Sequence, residues 1–167
     1  MSRVYVGTYR KYNEGSIAGE WLELEDYDSR ADFYEACREL HSDEADPELM
    51  FQDWEEIPEK YITESSIDDD LWDWLKLPEH EREIASIYFD DVDQSAEPRQ
   101  AIEAYEGEYD SDEDWAREYW ESTGMAGEVP EFAQNYIDYK SYAHDAHIGG
   151  DMTFVNKGMR VKAFRRR

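Results

Sequence analysis

The sequence predicts an α+β fold, with a small antiparallel sheet and a helix near the N-terminus, a helical middle, and helices followed by a β-hairpin near the C-terminus. Two observations support this class. β-Branched and aromatic residues lie in short runs bounded by turn residues near both ends of the chain, and apolar residues recur at helical spacing between them. We therefore expect three small modules, at residues 1–60, 61–105 and 106–167.

The first module is predicted to be a sheet with one helix packed on it. Residues 4–9, 21–24 and 49–54 have the composition of strands. Ser29 can cap a helix that ends near His41. The apolar face of this helix comprises Phe33, Cys37 and Leu40. Cys37 is the single cysteine, so no internal disulfide is possible, and we expect it to be buried as a small hydrophobic residue.

The middle module is predicted to contain short helices separated by acidic segments. Apolar residues recur at helical spacing within residues 68–77 and 79–91. Pro98 suits the first turn of a third helix that contains Ile102 and Tyr105. The other faces of these helices are largely carboxylate, so they are expected to be solvated.

The third module is predicted to contain two helices and a hairpin. Asp110, Ser111 and Asp112 offer capping oxygens to a helix that stops before Gly124, and Pro130 suits the start of a second helix. The predicted buried faces are Trp115, Ala116, Tyr119, Trp120 and Ser122 in the first helix, and Ala133, Tyr136, Ile137, Lys140 and Ala143 in the second. Residues 152–164 are predicted to form a β-hairpin that turns at residues 156–158. Its alternating apolar positions are Met152, Phe154, Met159, Val161 and Ala163.

Three segments carry a family resemblance. They are VYVGTYRKYNEGSIAGEWLEL from residue 4, ACRELHSDEADPELMFQDWE from residue 36, and TGMAGEVPEFAQNYIDYKSYAHD from residue 123. Together they resemble the ArdA antirestriction proteins, which conjugative plasmids and transposons carry into bacterial hosts. The resemblance is clear in the first and last thirds of the chain and weaker between residues 57 and 105. It implies an elongated, dimeric DNA mimic, not an enzyme, that occupies the DNA-binding groove on the specificity and methyltransferase subunits of Type I restriction-modification enzymes.

The charge of the chain is compatible with that implication. The 43 acidic and 17 basic residues give a net charge of −26, more than solubility requires. Duplex DNA carries one charge per about 1.7 Å, so this charge would match roughly 45 Å, or about 13 base pairs, if it were spread along the body. The acids that we expect to replace phosphates are Glu64, Asp68, Asp69, Asp70, Glu79, Glu81, Glu83, Asp90, Asp91, Asp93, Glu103, Glu106, Glu108, Asp110, Asp112, Glu113 and Asp114.

Other readings of the acidic residues stay open from the sequence alone. A charge run is usually a solvated face, and halophilic adaptation or an acidic hydrolase would also be rich in carboxylates. A different acidic interaction protein, or a chaperone for another basic DNA-binding partner, would share the charge. Competition with DNA on a restriction enzyme separates these last two readings from DNA mimicry. The basic C-terminus, with Lys162 and Arg165 to Arg167, is expected either to pair with acids of a neighbouring module or to form a disordered end.

In the family, the antirestriction segment, residues 123–145 of this chain, lies near the dimer contact. The resemblance therefore implies a homodimer interface formed by Ala126, Val129, Pro130, Phe132, Tyr136 and Tyr139. These apolar and amphipathic side chains suit a contact core. The alternative is that Tyr136 and Ile137 pack within the monomer.

The sequence offers no strong catalytic or metal motif. The best metal candidates are His144, Asp145 and His147, with His80 as a distant alternative, but no third ligand has a recognisable spacing. Asp110 begins a calcium-like run in which Trp115 stands where that loop requires glycine. We expect no cofactor, no bound metal, no nucleic-acid or membrane partner, and a cytoplasmic location, because no signal peptide or long apolar run is present.

Overall fold

The computed structural model of the chain describes residues 1–166, and it confirms the α+β class. Six strands and eight α-helices alternate with three short 3-10 helices, at Leu24–Asp26, Glu59–Tyr61 and Glu131–Tyr136. In chain order the strands and α-helices are β1 (Arg3–Thr8), α1 (Tyr9–Asn13), β2 (Glu20–Glu23), α2 (Arg30–Leu40), β3 (Leu49–Glu55), α3 (Leu71–Leu75), α4 (Glu79–Asp91), α5 (Pro98–Ala104), β4 (Tyr105–Tyr109), α6 (Asp112–Ser122), α7 (Met125–Glu128), α8 (Tyr139–Ile148), β5 (Met152–Lys157) and β6 (Arg160–Arg165).

The first sheet has the strand order β2-β1-β3, and both pairings are antiparallel. The three predicted strands are confirmed within two residues at each end. The predicted strand at 4–9 ran one residue too far, because the Thr8 hydroxyl accepts a hydrogen bond from the Lys11 N–H and caps α1 at Tyr9. Helix α1 itself was not predicted.

Helix α2 covers the first sheet and forms the centre of its core. Its predicted cap is confirmed, since the Ser29 hydroxyl accepts from the Asp32 N–H. The Phe33 side chain is fully buried, with its ring 6.1 Å from that of Phe51. Cys37 is also fully buried, as predicted, and burial raises the pKa of its thiol to about 12.

The next three helices lie where the sequence predicted them, but two of them differ from the prediction in length. Helix α4 has the predicted bounds. Helix α3 is shorter than the predicted 68–77, because the Asp68 carboxylate accepts from the Asp70 N–H and holds the preceding residues in a turn. The prediction that Tyr105 belongs to the helix opened by Pro98 was wrong, since α5 ends at Ala104 and Tyr105 begins β4.

The second sheet has the order β4-β6-β5, again antiparallel throughout. Its β5-β6 hairpin is confirmed, with Gly158 in the left-handed region at φ +66°. The placement of Met159 in the alternating face was wrong, because this residue lies in the turn and is 95% exposed. Strand β4 was not predicted, although the alternation of Tyr105, Gly107 and Tyr109 with glutamates is a period-two signal.

Helices α6 and α8 pack against the second sheet. Ser111 caps α6 and Gly124, at φ +79°, follows its end, as predicted. The prediction of one continuous helix from Pro130 was wrong. A 3-10 helix occupies Glu131–Tyr136, and α8 begins after Asp138, whose carboxylate accepts from the Ser141 N–H.

The core of this part of the chain is aromatic. The Trp115 ring stacks 5.3 Å from Tyr119 and lies 5.1 Å from Phe154. Trp115 is 2% exposed and Ala116 is fully buried, as predicted, and Tyr119 and Trp120 are half-buried. The placement of Ser122 on the buried face was wrong, because this residue is exposed in the last turn of α6. The small neighbours of Trp115, which are Ala116, Ala143 and Ala146, let α6 and α8 approach each other closely.

The described chain divides into two compact units, of which the first is Met1–Ser86 and the second begins at Ile87. The first unit contains the first sheet with α2, and the second contains the second sheet with α6 and α8. The three-module division at residues 60 and 105 stays a prediction.

Candidate partner-binding surface

The seventeen acids predicted to replace phosphates are all accessible to solvent. As whole residues, thirteen of them are exposed and four, at positions 81, 112, 113 and 114, are half-buried, although the side chain of Glu106, taken alone, is only 26% exposed. They nevertheless fall into two groups when their ion pairs are compared. The groups differ in how much of their negative charge is already neutralised by the chain itself.

The acids of the first group lie between residues 64 and 93 and are mostly without basic partners. Among residues 1–166, no Lys, Arg or His nitrogen lies within 4.0 Å of the carboxylates of six of these ten acids, Glu64, Asp68, Glu79, Glu81, Glu83 and Asp90. Two members of the group do form ion pairs: Asp69 with Arg30 at 3.9 Å, and Asp91 with Lys157 at 3.1 Å. Most of the charge in this group therefore faces solvent unopposed.

The elements that carry the first group are fixed by burial on their opposite sides. On α4, Glu79 and Glu83 are exposed, whereas Ile84 is 2% exposed and Ala85 is fully buried. Glu79 and Glu83 are one helical turn apart, so their Cα atoms rise about 6 Å along the axis. The helix thus presents negative charges at a fixed spacing.

The acids of the second group, between residues 103 and 114, are mostly paired within the chain. Arg99 contacts Glu103, Arg117 contacts Glu113 and Asp114, Arg160 contacts Glu108 and Asp110, Lys162 contacts Glu108, and Arg165 contacts Glu106. The nitrogen–oxygen distances run from 2.5 Å for Arg165 and Glu106 to 3.8 Å for the Glu108 and Asp110 pairs. Five basic residues thus offset the charge of six acids in this group.

Glu106 is the most enclosed of the paired acids. Its carboxylate accepts from the Trp115 indole N–H at 2.8 Å and from the Arg165 guanidinium at 2.5 Å, and its side chain is 26% exposed. Burial, the largest single influence, would lower the pKa of Arg165, but the hydrogen bond to Glu106, the charge of Glu106 and the interaction with Tyr119 together raise it. The guanidinium also lies 5.2 Å over the Tyr119 ring. Glu106 therefore links β4, β6 and α6.

As far as Arg166, the basic C-terminus contacts residues of its own predicted module, 106–167, so both expectations, acids of a neighbouring module and a disordered end, were wrong for these residues. Lys162 and Arg165 pair with acids on the adjacent strand β4, and Arg166 donates to the Thr153 hydroxyl at 2.8 Å. The prediction for Arg167 lies outside the described residues. The antiparallel pairing of β6 with β4 explains why cations occur at this end of an acidic chain, since it places Lys162 opposite Glu108.

The antirestriction segment exposes two large apolar side chains. Phe132 and Tyr136 are 82% and 86% exposed, and Pro130 is also exposed. Tyr136 therefore does not pack inside the monomer, whereas Ile137 is half-buried. The Gln134 amide donates to the carbonyls of Ala126 and Val129, both at 3.1 Å, and so holds α7 and the residue that follows it against the 3-10 helix.

Tyr139 connects the antirestriction segment to α6. Its ring is 6.1 Å from Trp120 in an edge-to-face arrangement, and the Arg117 guanidinium lies 5.2 Å above it. The same guanidinium contacts Glu113 and Asp114. Tyr139 is half-buried. This predicted interface residue therefore also contributes to packing within the monomer.

The histidines singled out by sequence do not form a ligand cluster. Within residues 1–166 the cluster with metal-like spacing is a different one, in which one ligand atom each of His41, Asp43 and Glu44 lie within 4.8 Å of one another. The Lys11 ammonium occupies this cluster, donating to His41 Nδ1 at 2.7 Å and to Asp43 at 2.8 Å. His41 Nε2 is then protonated and donates to the Val6 carbonyl. A lysine therefore supplies the positive charge at this position.

Within the part of the chain that the structure describes, no helix has both the length and the apolar character needed to cross a membrane. A family model described as Antirestriction protein (ArdA) matches residues 4–161, which is most of the chain and includes the segment where the resemblance was weak. A search of curated proteins found no match. Antirestriction is thus the function of this protein, and restriction-modification enzymes are the class with which it interacts. The chain belongs to the ArdA family of antirestriction proteins.

Proposed function

We propose that this chain is a DNA mimic that occupies the DNA-binding groove of Type I restriction-modification enzymes, on their specificity and methyltransferase subunits. The observation that supports this most strongly is the first group of acids, which is exposed and largely without basic partners in a chain of net charge −26. Occupying the groove would block both cleavage and methylation, in the cytoplasm, where these enzymes meet DNA.

The driving force is the one that attracts the enzyme to DNA. Lys and Arg side chains that bind phosphates gain free energy from releasing condensed counterions, and a dense carboxylate surface supplies a similar term. Carboxylates on α4 lose little backbone freedom on docking, because the helix is already folded. Because such a surface carries no base edges, it would inhibit enzymes of different target sequence, since phosphate contacts position a protein without specifying sequence.

We propose unequal roles for the two groups of acids. The acids between residues 64 and 93, of which Glu64, Asp68, Glu79, Glu81, Glu83 and Asp90 lack a basic partner in residues 1–166, form the principal surface. Those of residues 103–114 contribute less, because internal bases offset their charge. An enzyme lysine that approached Glu106 would have to compete with Arg165 and Trp115 for its carboxylate. The second group then acts mainly to hold β4, β6 and α6 together.

We also propose that the protein is a homodimer whose contact includes Ala126, Val129, Pro130, Phe132, Tyr136 and Tyr139. Support comes from Phe132 and Tyr136, which are more than four-fifths exposed although large and apolar. Replacing both by alanine should convert the dimer to monomer in sedimentation velocity, with stability changed by about 0.5 kcal/mol or less because the side chains are exposed. Met159→Ala, at an exposed position outside the segment, is the matched control.

Two block variants test the proposed surface. One neutralises Glu64, Asp68, Glu79 and Glu83, and the other neutralises Glu103, Glu108, Asp110 and Glu113, so that each removes four charges. Displacement of labelled duplex DNA from a purified Type I methyltransferase should weaken much more in the first variant. Equal weakening would reject the unequal roles, and no weakening in either would reject a carboxylate surface as the binding site.

A further inference from the structure

We propose that His41, Asp43 and Glu44 bind a divalent transition-metal ion such as Zn²⁺. The metal takes the position of the Lys11 ammonium, which moves aside. One ligand atom from each of the three residues lies within 4.8 Å of the other two. The residues directly follow α2, and the Glu44 N–H donates to the His41 carbonyl at 3.0 Å, which closes the turn that carries them. This inference is independent of the proposed DNA mimicry.

The Lys11 ammonium marks the point on which the three ligand atoms converge. Its Nζ lies 2.7 Å from His41 Nδ1, 2.8 Å from the Asp43 carboxylate and 3.6 Å from the Glu44 carboxylate. Zn²⁺ commonly takes three protein ligands and a water molecule, at about 2.0–2.2 Å. Binding would therefore draw the three ligand atoms closer together. The Asp43 side chain, which is 65% exposed, is free to supply much of that movement.

His41 directs a nitrogen lone pair into this cluster. The residue is 2% exposed, and its Nε2–H donates to the Val6 carbonyl at 3.0 Å. Nδ1 therefore carries the lone pair, and it faces the Lys11 ammonium. Metal-binding histidines commonly donate their second N–H to a carbonyl or carboxylate in this way, which fixes both the tautomer and the orientation of the ring. His41 has the hydrogen bonding of a metal ligand.

Glu44 is held in a similar way. The residue is 8% exposed, and its Oε2 accepts from the Thr8 hydroxyl at 2.7 Å. Val6 and Thr8 both belong to β1, so one strand orients the imidazole and the buried carboxylate. Outer hydrogen bonds of this kind hold the ligands of a metal site in place before the ion binds. The two buried ligands are thus fixed, and the exposed Asp43 completes the set.

The charge of the cluster favours a dication over an ammonium. Among residues 1–166, Lys11 supplies the one Lys or Arg nitrogen within 4.0 Å of the Asp43 and Glu44 carboxylates. Two negative charges therefore face one positive charge, although one of the two acids is almost fully buried. A buried charge without full compensation is costly, and a divalent ion would balance both carboxylates. Lys11 is able to leave, because its stem is long and flexible and its side chain is 17% exposed.

The donor set selects the class of metal. One imidazole nitrogen and two carboxylate oxygens suit Zn²⁺ and other first-row divalent ions, whereas Ca²⁺ and Mg²⁺ prefer oxygen ligands throughout. The exposed side of the cluster, at Asp43, leaves room for a water molecule as the fourth ligand. We therefore expect one Zn²⁺ or Co²⁺ ion per chain at this position, and no competition from Ca²⁺ or Mg²⁺.

The experiment titrates the full chain and three variants with Zn²⁺ by calorimetry, and with Co²⁺ by visible absorption. High ionic strength screens the general attraction of cations to a chain of net charge −26. Asp43→Asn removes a ligand charge, and Lys11→Met removes the competing ammonium. Asp46→Asn is the matched control, because Asp46 is an exposed acid of the same segment that forms no ion pair with residues 1–166.

We expect a single saturable Zn²⁺ site in the wild type. Asp43→Asn should weaken binding by about 10-fold or more, and Lys11→Met should tighten it by a similar factor. Asp46→Asn should bind like the wild type. Urea denaturation gives a second measurement, since Zn²⁺ should stabilise the wild type and the Asp46 variant more than the Asp43 variant.

Three results would overturn the proposal. A wild type without a saturable Zn²⁺ site would do so even if Lys11→Met bound the metal, because the lysine would then be the permanent occupant. Equal weakening in Asp43→Asn and Asp46→Asn would show that binding reflects only the acidity of the chain. Unchanged affinity in Lys11→Met would show that the metal does not take the position of the ammonium.

Discussion

Replacing Glu106 by glutamine separates acids that stabilise the fold from acids that bind a partner. The glutamate carboxylate holds two donors at once, the Trp115 indole at 2.8 Å and the Arg165 guanidinium at 2.5 Å. Glutamine has nearly the same size but no charge, and only its one carbonyl oxygen can accept. The substitution therefore leaves one of the two donors without its acceptor.

The expected effect follows from these contacts. Hydrogen bonds to charged groups contribute about 1.5–3 kcal/mol each, but Glu106 is 26% exposed, so solvent screens part of the interaction. We expect the free energy of unfolding to fall by about 1–2 kcal/mol. Glu118→Gln is the control, since Glu118 is exposed on α6 without an ion pair to any described base, and its change should be within about 0.5 kcal/mol.

Urea denaturation followed by tryptophan fluorescence measures the stability, and DNA displacement from a Type I methyltransferase measures inhibition. Glu106→Gln should be less stable than the wild type and, at temperatures where it is folded, should inhibit nearly as well. A variant of unchanged stability but much weaker inhibition would refute the reasoning, because the carboxylate would then face the enzyme and not Arg165.

Three other predictions concern the first unit. Phe33→Ala should lower the free energy of unfolding by about 3–5 kcal/mol in urea denaturation, because the fully buried ring leaves a cavity. The Cys37 thiol, with its pKa raised to about 12 by burial, should resist iodoacetamide in the native protein and react after unfolding, as mass spectrometry would show. Burial raises the pKa of Glu25, but hydrogen bonds from the Ser2 N–H and from Arg82 outweigh it, so the pKa lies below the ordinary 4.5. A lowered pKa stabilises the fold above that value and the contribution is lost as pH falls, so the stability difference between wild type and Glu25→Gln should shrink below about pH 4.5.

Much of the fold could be predicted because local signals agree with the tertiary structure. Ser29 and Ser111 are helix caps in both the sequence pattern and the structure, and α4 has the predicted bounds. Strand β4 was missed because Glu106, Gly107 and Glu108 have low strand propensity. Pairing with β6 overrides that propensity, since Lys162 lies opposite Glu108. Such pairing is tertiary information that no local window contains.

The sequence shows where the acids of the candidate surface lie along the chain, but not which of them pair with bases of the same chain. The clusters of acids are visible in the sequence, but nothing local indicates that Arg160, Lys162 and Arg165 return to offset the second group. The hydrogen bonds of Arg30 and Tyr34 to the Ile67 backbone were equally hidden, because both residues are more than thirty positions away from Ile67 in sequence. One signal was available: Phe132 and Tyr136, in a segment already suspected of forming a contact, are large apolar residues among acids.

Competition for a DNA-binding groove tests the central claim most directly. Labelled duplex DNA bound to a purified Type I methyltransferase is titrated with the wild-type protein at two salt concentrations. The account predicts displacement at near-stoichiometric ratios, weakening steeply as salt rises, because the carboxylates replace phosphates and the same counterions are released. DNA that stays bound at a large excess of the protein in low salt would contradict competitive mimicry.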